Sequence, residues 1–107
     1  MSGKNIIEIE ANKDIDGTEV FEGTFAKTHI DELMLEFTPK HVGVPVATLK
    51  GDGGASKEIH MIPLRGREGR FAVKLAGPEA WNGIRVHMVR ETKGHLVKVK
   101  LIGKPPA

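Results

Sequence analysis

Two histidines recur in similar surroundings, in EIHMIPL at residues 58–64 and in RVHMVRE at residues 85–91. Imidazoles are good ligands for Zn²⁺, Ni²⁺ or Cu²⁺, so His60 and His87 are candidates for a shared ion. If strand 70–76 lies between the two histidine strands in a simple meander, however, the strands are about 10 Å apart. One ion at roughly 2.1 Å from each nitrogen would not span that separation. We therefore predict no metal site, and nothing in the sequence indicates a cofactor.

Two other stretches begin like ion-binding or phosphate-binding loops but lack an essential part. NKDIDGTE at 12–19 has the start of a calcium loop, yet Gly23 occupies the position where a bidentate Glu is needed, so a hairpin turn is the better interpretation. KGDGGASK at 50–57 lacks the residue order of a P-loop. Serines occur only at 2 and 56, outside any G-x-S-x-G motif. We therefore predict no catalytic residues and a protein that is not an enzyme.

Charge is distributed unevenly along the chain. Residues 1–53 carry five Lys and ten Asp or Glu, a net charge of −5. Residues 54–107 carry eleven Lys or Arg and four Glu, a net charge of +7. This asymmetry favours an anionic partner or head-to-tail self-association.

Apolar and polar residues alternate with a period of two along most of the chain, and no stretch keeps a helical apolar period for three turns. The pattern predicts an all-β fold, an antiparallel sandwich or a partly open small barrel of about seven or eight strands. At most one short helical turn is expected, near residues 78–82, where Pro78 would begin it. The candidate strands are 5–11, 18–27, 30–37, 42–50, 57–64, 70–76, 84–91 and 95–102.

The length of 107 residues fits one domain. We expect a single all-β domain over residues 1–103 and a flexible C-terminal tail over 104–107, where two prolines cannot continue a strand. The sequence has no apolar run long enough for a signal peptide or a bilayer span, and it has no cysteine. These features predict a cytoplasmic protein with no membrane partner.

The pairing of the last strands decides whether the basic residues share a surface. If the last three candidate strands are neighbours, alternation sets His87 opposite Lys98 on the outer face. The same logic places His60 outward beside Lys74. The methionine that follows each histidine would then lie in the core.

A basic outer face of this kind suits a nucleic-acid backbone, because spaced Lys and Arg side chains neutralise successive phosphates. The four Phe residues are mostly assigned to the core, which leaves Trp81 as the one candidate for base stacking and favours a sequence-tolerant, backbone-tracking mode. The leading prediction is a non-enzymatic binding module that engages nucleic acid. Its predicted contacts are Arg65, Arg67, Arg70, Lys74, Arg85, Lys98, Lys100 and Trp81.

The alternative is a structural or self-assembling protein, for example a virion or phage-assembly component. The polar side of the first strands is expected to form an acidic face, made of Glu8, Glu10, Glu22, Glu32 and Glu36. Opposed acidic and basic faces would let copies associate into a homo-oligomer through a repeating contact. An acidic face could also pair with the basic one inside the same molecule and leave neither available.

Overall fold

The computed structural model describes residues 5–15, 20–38, 43–67, 69–77, 79–88 and 94–104. They form one antiparallel sheet of eight strands that does not close into a barrel, so the predicted all-β class is confirmed. The strands are β1 (Asn5–Ile15), β2 (Phe21–Phe37), β3 (Pro45–Lys50), β4 (Ser56–His60), β5 (Ile62–Pro63), β6 (Arg70–Lys74), β7 (Trp81–Met88) and β8 (Gly94–Lys104).

The long strand β2 is the centre of the sheet. The strand order is β1-β8-β2-β7-β3-β4, and β6, which also pairs with β5, is a further partner of β2. β8 and β6 lie on opposite edges of the C-terminal half of β2, because both pair with Glu32–Glu36. β7 pairs with the N-terminal half, from Phe21 to Thr28. Three strands of the basic half are therefore attached to one strand of the acidic half.

The second and third predicted strands are joined in β2. The inward-facing positions change from odd to even numbers and back along this strand. Phe25 packs against the core, Thr28 and Ile30 are buried next, and Leu33 is buried after them. Register shifts between Thr24 and Thr28 and between Ile30 and Glu32 account for the two changes. Each shift inserts extra residues and reverses the side-chain alternation without ending the strand. A broken alternation therefore suggested two strands where the chain forms one.

One hydrophobic cluster holds the sheet together, with members from nearly every strand. Met61 and Met88 belong to it, at 2% and 5% exposure, as the alternation predicted. The rings of Phe37 and Phe71 meet edge to face, with their centroids 5.8 Å apart, which is a favourable geometry for aromatic pairs. This core fixes the strands that carry the charged side chains of the outer face.

The described part of the structure does not contain the helical turn that was expected near residues 78–82. Trp81 and Asn82 begin β7, because pairing of Trp81 with Thr28 draws this segment into the sheet, and residue 78 lies outside the described residues. The helical segment within the described ranges is a 3₁₀ turn at Asp52–Gly54. Among the described residues, no helix is long and apolar enough to cross a membrane. Lys104, assigned to the tail, is the last residue of β8, and residues 105–107 are not among those described.

Candidate nucleic-acid interface

The basic strands β6, β7 and β8 are not neighbours of one another, contrary to the sequence-based pairing. Each pairs with β2 instead, and β2 separates β7 from β8. The predicted pair of His87 and Lys98 is therefore wrong: His87 lies opposite Val46 of β3, and Lys98 lies between Glu10 and Glu36. Local alternation gave the outward direction of these side chains but could not identify the partner strand.

His60 also has a different neighbour from the one expected. β4 pairs with β3, so His60 lies opposite Val46 and not in a ladder with Lys74. Its Nε2 is 3.4 Å from Oε1 of Glu58. Two strand spacings, about 10 Å, separate the backbones at His60 and His87. Within the described residues, no three His, Cys, Asp or Glu side chains are grouped closely enough to hold a metal ion.

Acidic and basic side chains alternate across one face of the sheet. One row crosses β1, β8, β2 and β6 and consists of Glu10, Lys98, Glu36 and Arg70. Directly opposite residues share a face, so the acidic and basic residues lie side by side here and not on opposed faces. Three further pairs follow the same rule: Glu8 with Lys100, Glu32 with Lys74 and Glu22 with Arg85.

These pairs give a physical explanation for the charge asymmetry of the sequence. Opposite charges directly across two strands stabilise their pairing, and like charges oppose it. The acidic strands β1 and β2 therefore favour the basic strands β6, β7 and β8 as partners. Much of the positive charge in the second half is matched by carboxylates of the first half.

The ion pairs on this face are accessible to solvent. Nζ of Lys98 lies 3.2 Å from Oε1 of Glu8, and Nη2 of Arg70 lies 3.9 Å from Oε2 of Glu36. These four side chains are between 32% and 45% exposed. The hydrogen bond from Lys98 to Glu8, reinforced by the negative charge of Glu8, raises the pKa of Lys98 above its usual value. Lys98 is therefore positively charged throughout the physiological pH range.

A groove of about 230 Å³ lies on this face, next to the turn between β5 and β6. Four of the predicted contacts line it, namely Arg67, Arg70, Lys98 and Lys100. Apolar and acidic residues complete the lining, namely Met34, Leu35, Leu64, Phe71, Glu8 and Glu36. Cations from two separate parts of the chain, the β5–β6 region and β8, therefore surround a recess that also contains two carboxylates.

Backbone hydrogen bonds hold the basic turn that supplies Arg67. The N–H of Leu64 donates to the carbonyl of Arg70 at 2.8 Å, and the N–H of Arg70 donates to the carbonyl of Arg67 at 3.2 Å. Gly66, with a φ of 75°, adopts the left-handed conformation that glycine tolerates best. The turn therefore positions Arg67 at the groove and leaves Arg65 exposed beside it.

The remaining predicted contacts lie elsewhere. Lys74 is exposed on β6, opposite Glu32, and does not line the groove. Arg85 is exposed on β7, opposite Glu22 and therefore in another part of the sheet. Trp81 is only 6% exposed and packs in the core, so its assignment as a stacking platform is wrong.

Sequence reasoning missed the apolar and acidic lining of the groove. Alternation along β2 does put Met34 and Glu36 on the outer side of the strand. Their meeting with Leu64 and Glu8 depends on which strands flank β2, and a local pattern does not contain that information.

No protein-family model matches the chain, and no curated protein matches it significantly. The geometry and charge of the groove are therefore the basis for inferring a function.

Proposed function

We propose that this chain is a non-enzymatic binding module that engages a nucleic-acid backbone through the groove. The observation that supports this function is the convergence of Arg67, Arg70, Lys98 and Lys100 around one recess. The two carboxylates in the lining leave an excess of positive charge. Arg65 in the adjoining turn adds to it.

Two of the cations are available without breaking an ion pair. Lys98 and Arg70 have carboxylate partners at 3.2 and 3.9 Å, whereas Arg67 and Lys100 make no ion pair with any described residue. An unpaired surface cation can neutralise a phosphate and so release the counterions condensed on the nucleic acid. Release of those counterions drives association and makes it depend strongly on salt.

Binding of short labelled oligonucleotides over a salt series, followed by fluorescence anisotropy, tests this function. Four phosphate contacts predict a slope of log K against log salt of about −3 for a single strand. Arg67→Ala and Lys100→Ala should each reduce the magnitude of that slope by about 0.7. Lys57→Ala, which removes the same charge from an exposed position on β4, is the matched control and should leave the slope unchanged. Absence of binding at about 50 mM salt contradicts the proposal.

A second candidate, a structural or self-assembling protein, is favoured by the free edge of β1. This strand pairs with β8 on one side, and no other described strand pairs with it. Ile6 near its start is 59% exposed. Unpaired backbone groups along a strand of 11 residues can accept a strand from another copy. Sedimentation at several concentrations distinguishes the candidates, since a strict monomer contradicts this one.

A further inference from the structure

We infer that the groove receives a single-stranded segment, with phosphates on its cations and one base directed towards Glu36, and that it prefers cytosine to thymine or uracil. This inference rests on the proposed function and specifies its ligand. Its starting point is the pair of carboxylates, Glu8 and Glu36, in a lining whose other charged residues are all cations. They stabilise strand pairing, but their negative charge would weaken a site that bound phosphates alone.

The position of Glu36 is the first step. It lies between Lys98 on β8 and Arg70 on β6, each one strand away. Its side chain is 40% exposed, and its contact with Arg70 is long, at 3.9 Å. The carboxylate therefore has lone pairs free to accept hydrogen bonds from a ligand, with cations on both sides to hold the flanking phosphates.

The shape and charge of the recess favour a single strand over a duplex. Lys98 and Arg70 are two strand spacings apart, about 10 Å, and Glu36 lies between them. A duplex presents its outer surface as phosphate, which Glu36 would repel, and it displays base amino groups only inside its grooves. A protein reaches those groups with a protruding helix or ribbon. A single strand can instead turn a base into the recess.

The apolar lining supplies a surface for that base. Met34 and Leu64 are partly buried and lie beside the carboxylates. A thioether makes favourable contacts with aromatic rings, and a base offers such a ring. The groove volume of about 230 Å³ is below the roughly 300–1,000 Å³ of typical small-molecule pockets, so the recess has room for a single base and not for a longer segment.

The chemistry of Glu36 gives the base preference. A carboxylate accepts a hydrogen bond from the N4 amino group of cytosine. Thymine and uracil lack an amino group, and two carbonyl oxygens flank the ring N–H that they offer, so the carboxylate is repelled. Cytosine therefore makes a charge-assisted hydrogen bond where thymine meets an unfavourable electrostatic contact.

The test compares oligo-dC, oligo-dT and a mixed-sequence duplex of the same length by fluorescence anisotropy at low salt. We expect oligo-dC to bind about fivefold more tightly than oligo-dT, and the duplex to bind more weakly than oligo-dC. Glu36→Gln should bring the ratio of dC to dT affinities close to one, since an amide donates as well as accepts. Glu22→Gln, the same change on β2 but opposite Arg85, should leave the ratio unchanged.

Each outcome is decisive. Equal affinities of the wild type for oligo-dC and oligo-dT, tighter binding of the duplex, or a ratio that survives Glu36→Gln overturns the inference and leaves the proposed function standing. Failure to bind any of the three nucleic acids overturns both.

Discussion

His60 and His87 flank the same residue, Val46, from the two strands that pair with β3. β4 and β7 meet β3 in the same register, so the aliphatic residue before each histidine lies opposite Ala47. The methionine after each histidine is buried in the core. The repeated aliphatic-His-Met sequence therefore reflects one environment, which β3 presents to a neighbour on each of its edges.

His87 should act as packing for Val46. Val46 is 2% exposed although it lies outside the central core cluster, and Nδ1 of His87 is buried without a hydrogen-bond partner among the described residues. His87→Leu keeps the packing and removes this nitrogen, so the free energy of unfolding should stay constant or rise by up to about 1 kcal/mol. His87→Ala should lower it by about 1–2 kcal/mol. Urea denaturation measures both.

His60→Ala is the matched control for these variants, because the His60 side chain is 68% exposed. It should change the free energy of unfolding by less than about 0.5 kcal/mol. A clear loss of stability in His87→Leu would contradict the packing role and indicate that Nδ1 has a partner.

Gly103 should tolerate no side chain, because β2 and β8 approach each other closely at this point. A Cβ built on Gly103 would overlap the carbonyl oxygen of His29, and this backbone cannot move aside without separating the strands. We expect Gly103→Ala to lower the free energy of unfolding by more than about 2 kcal/mol. Gly83→Ala is the control, since its nearest atoms would be at an ordinary 3.6 Å. Similar unfolding midpoints in urea for the two variants would contradict the close approach of β2 and β8 at Gly103.

The contact between Lys27 and Asp52 should be visible in the acid titration of Asp52. The hydrogen bond and charge of Lys27 lower the pKa of Asp52 below its usual 3.8, with a smaller contribution from Asn82. Because the folded-state pKa is lowered, the stabilisation is present above pH 3.8 and is lost as the pH falls through the folded-state pKa. Lys27→Met should return the pKa of Asp52 towards 3.8 in an NMR titration, and Lys57→Met should not.

Arg85 should contribute little to nucleic-acid binding, although its position in the sequence made it a candidate. It lies on β7, opposite Glu22 and Thr48, and does not line the groove. Arg85→Ala should therefore leave the affinity within about twofold, whereas Lys100→Ala should lower it several-fold in the same anisotropy assay. An effect of Arg85→Ala as large as that of Lys100→Ala would show that the interface is not confined to the groove.

The outer positions of the charged residues could be predicted from the sequence, since alternation fixes which side chains of a strand share a face. Lys98 and Lys100 were assigned outward on β8, and both reach the groove. The assignment of Trp81 failed, because Trp81 and Asn82 begin β7 where a helical turn was expected. Alternation also predicted two strands in place of β2, because two register shifts interrupt the pattern without ending the strand.

The sequence by itself determined the all-β class, the core positions of Met61 and Met88, and the unequal charges of the two halves. Only the tertiary structure decided that these halves interleave, because strand pairing joins residues far apart in the chain and no local pattern encodes the partner. Lys98 could thus be recognised as an exposed cation, but its place between Glu10 and Glu36 follows from β8 inserting between β1 and β2. The groove exists for the same reason, since its cations meet only when β6 and β8 flank β2.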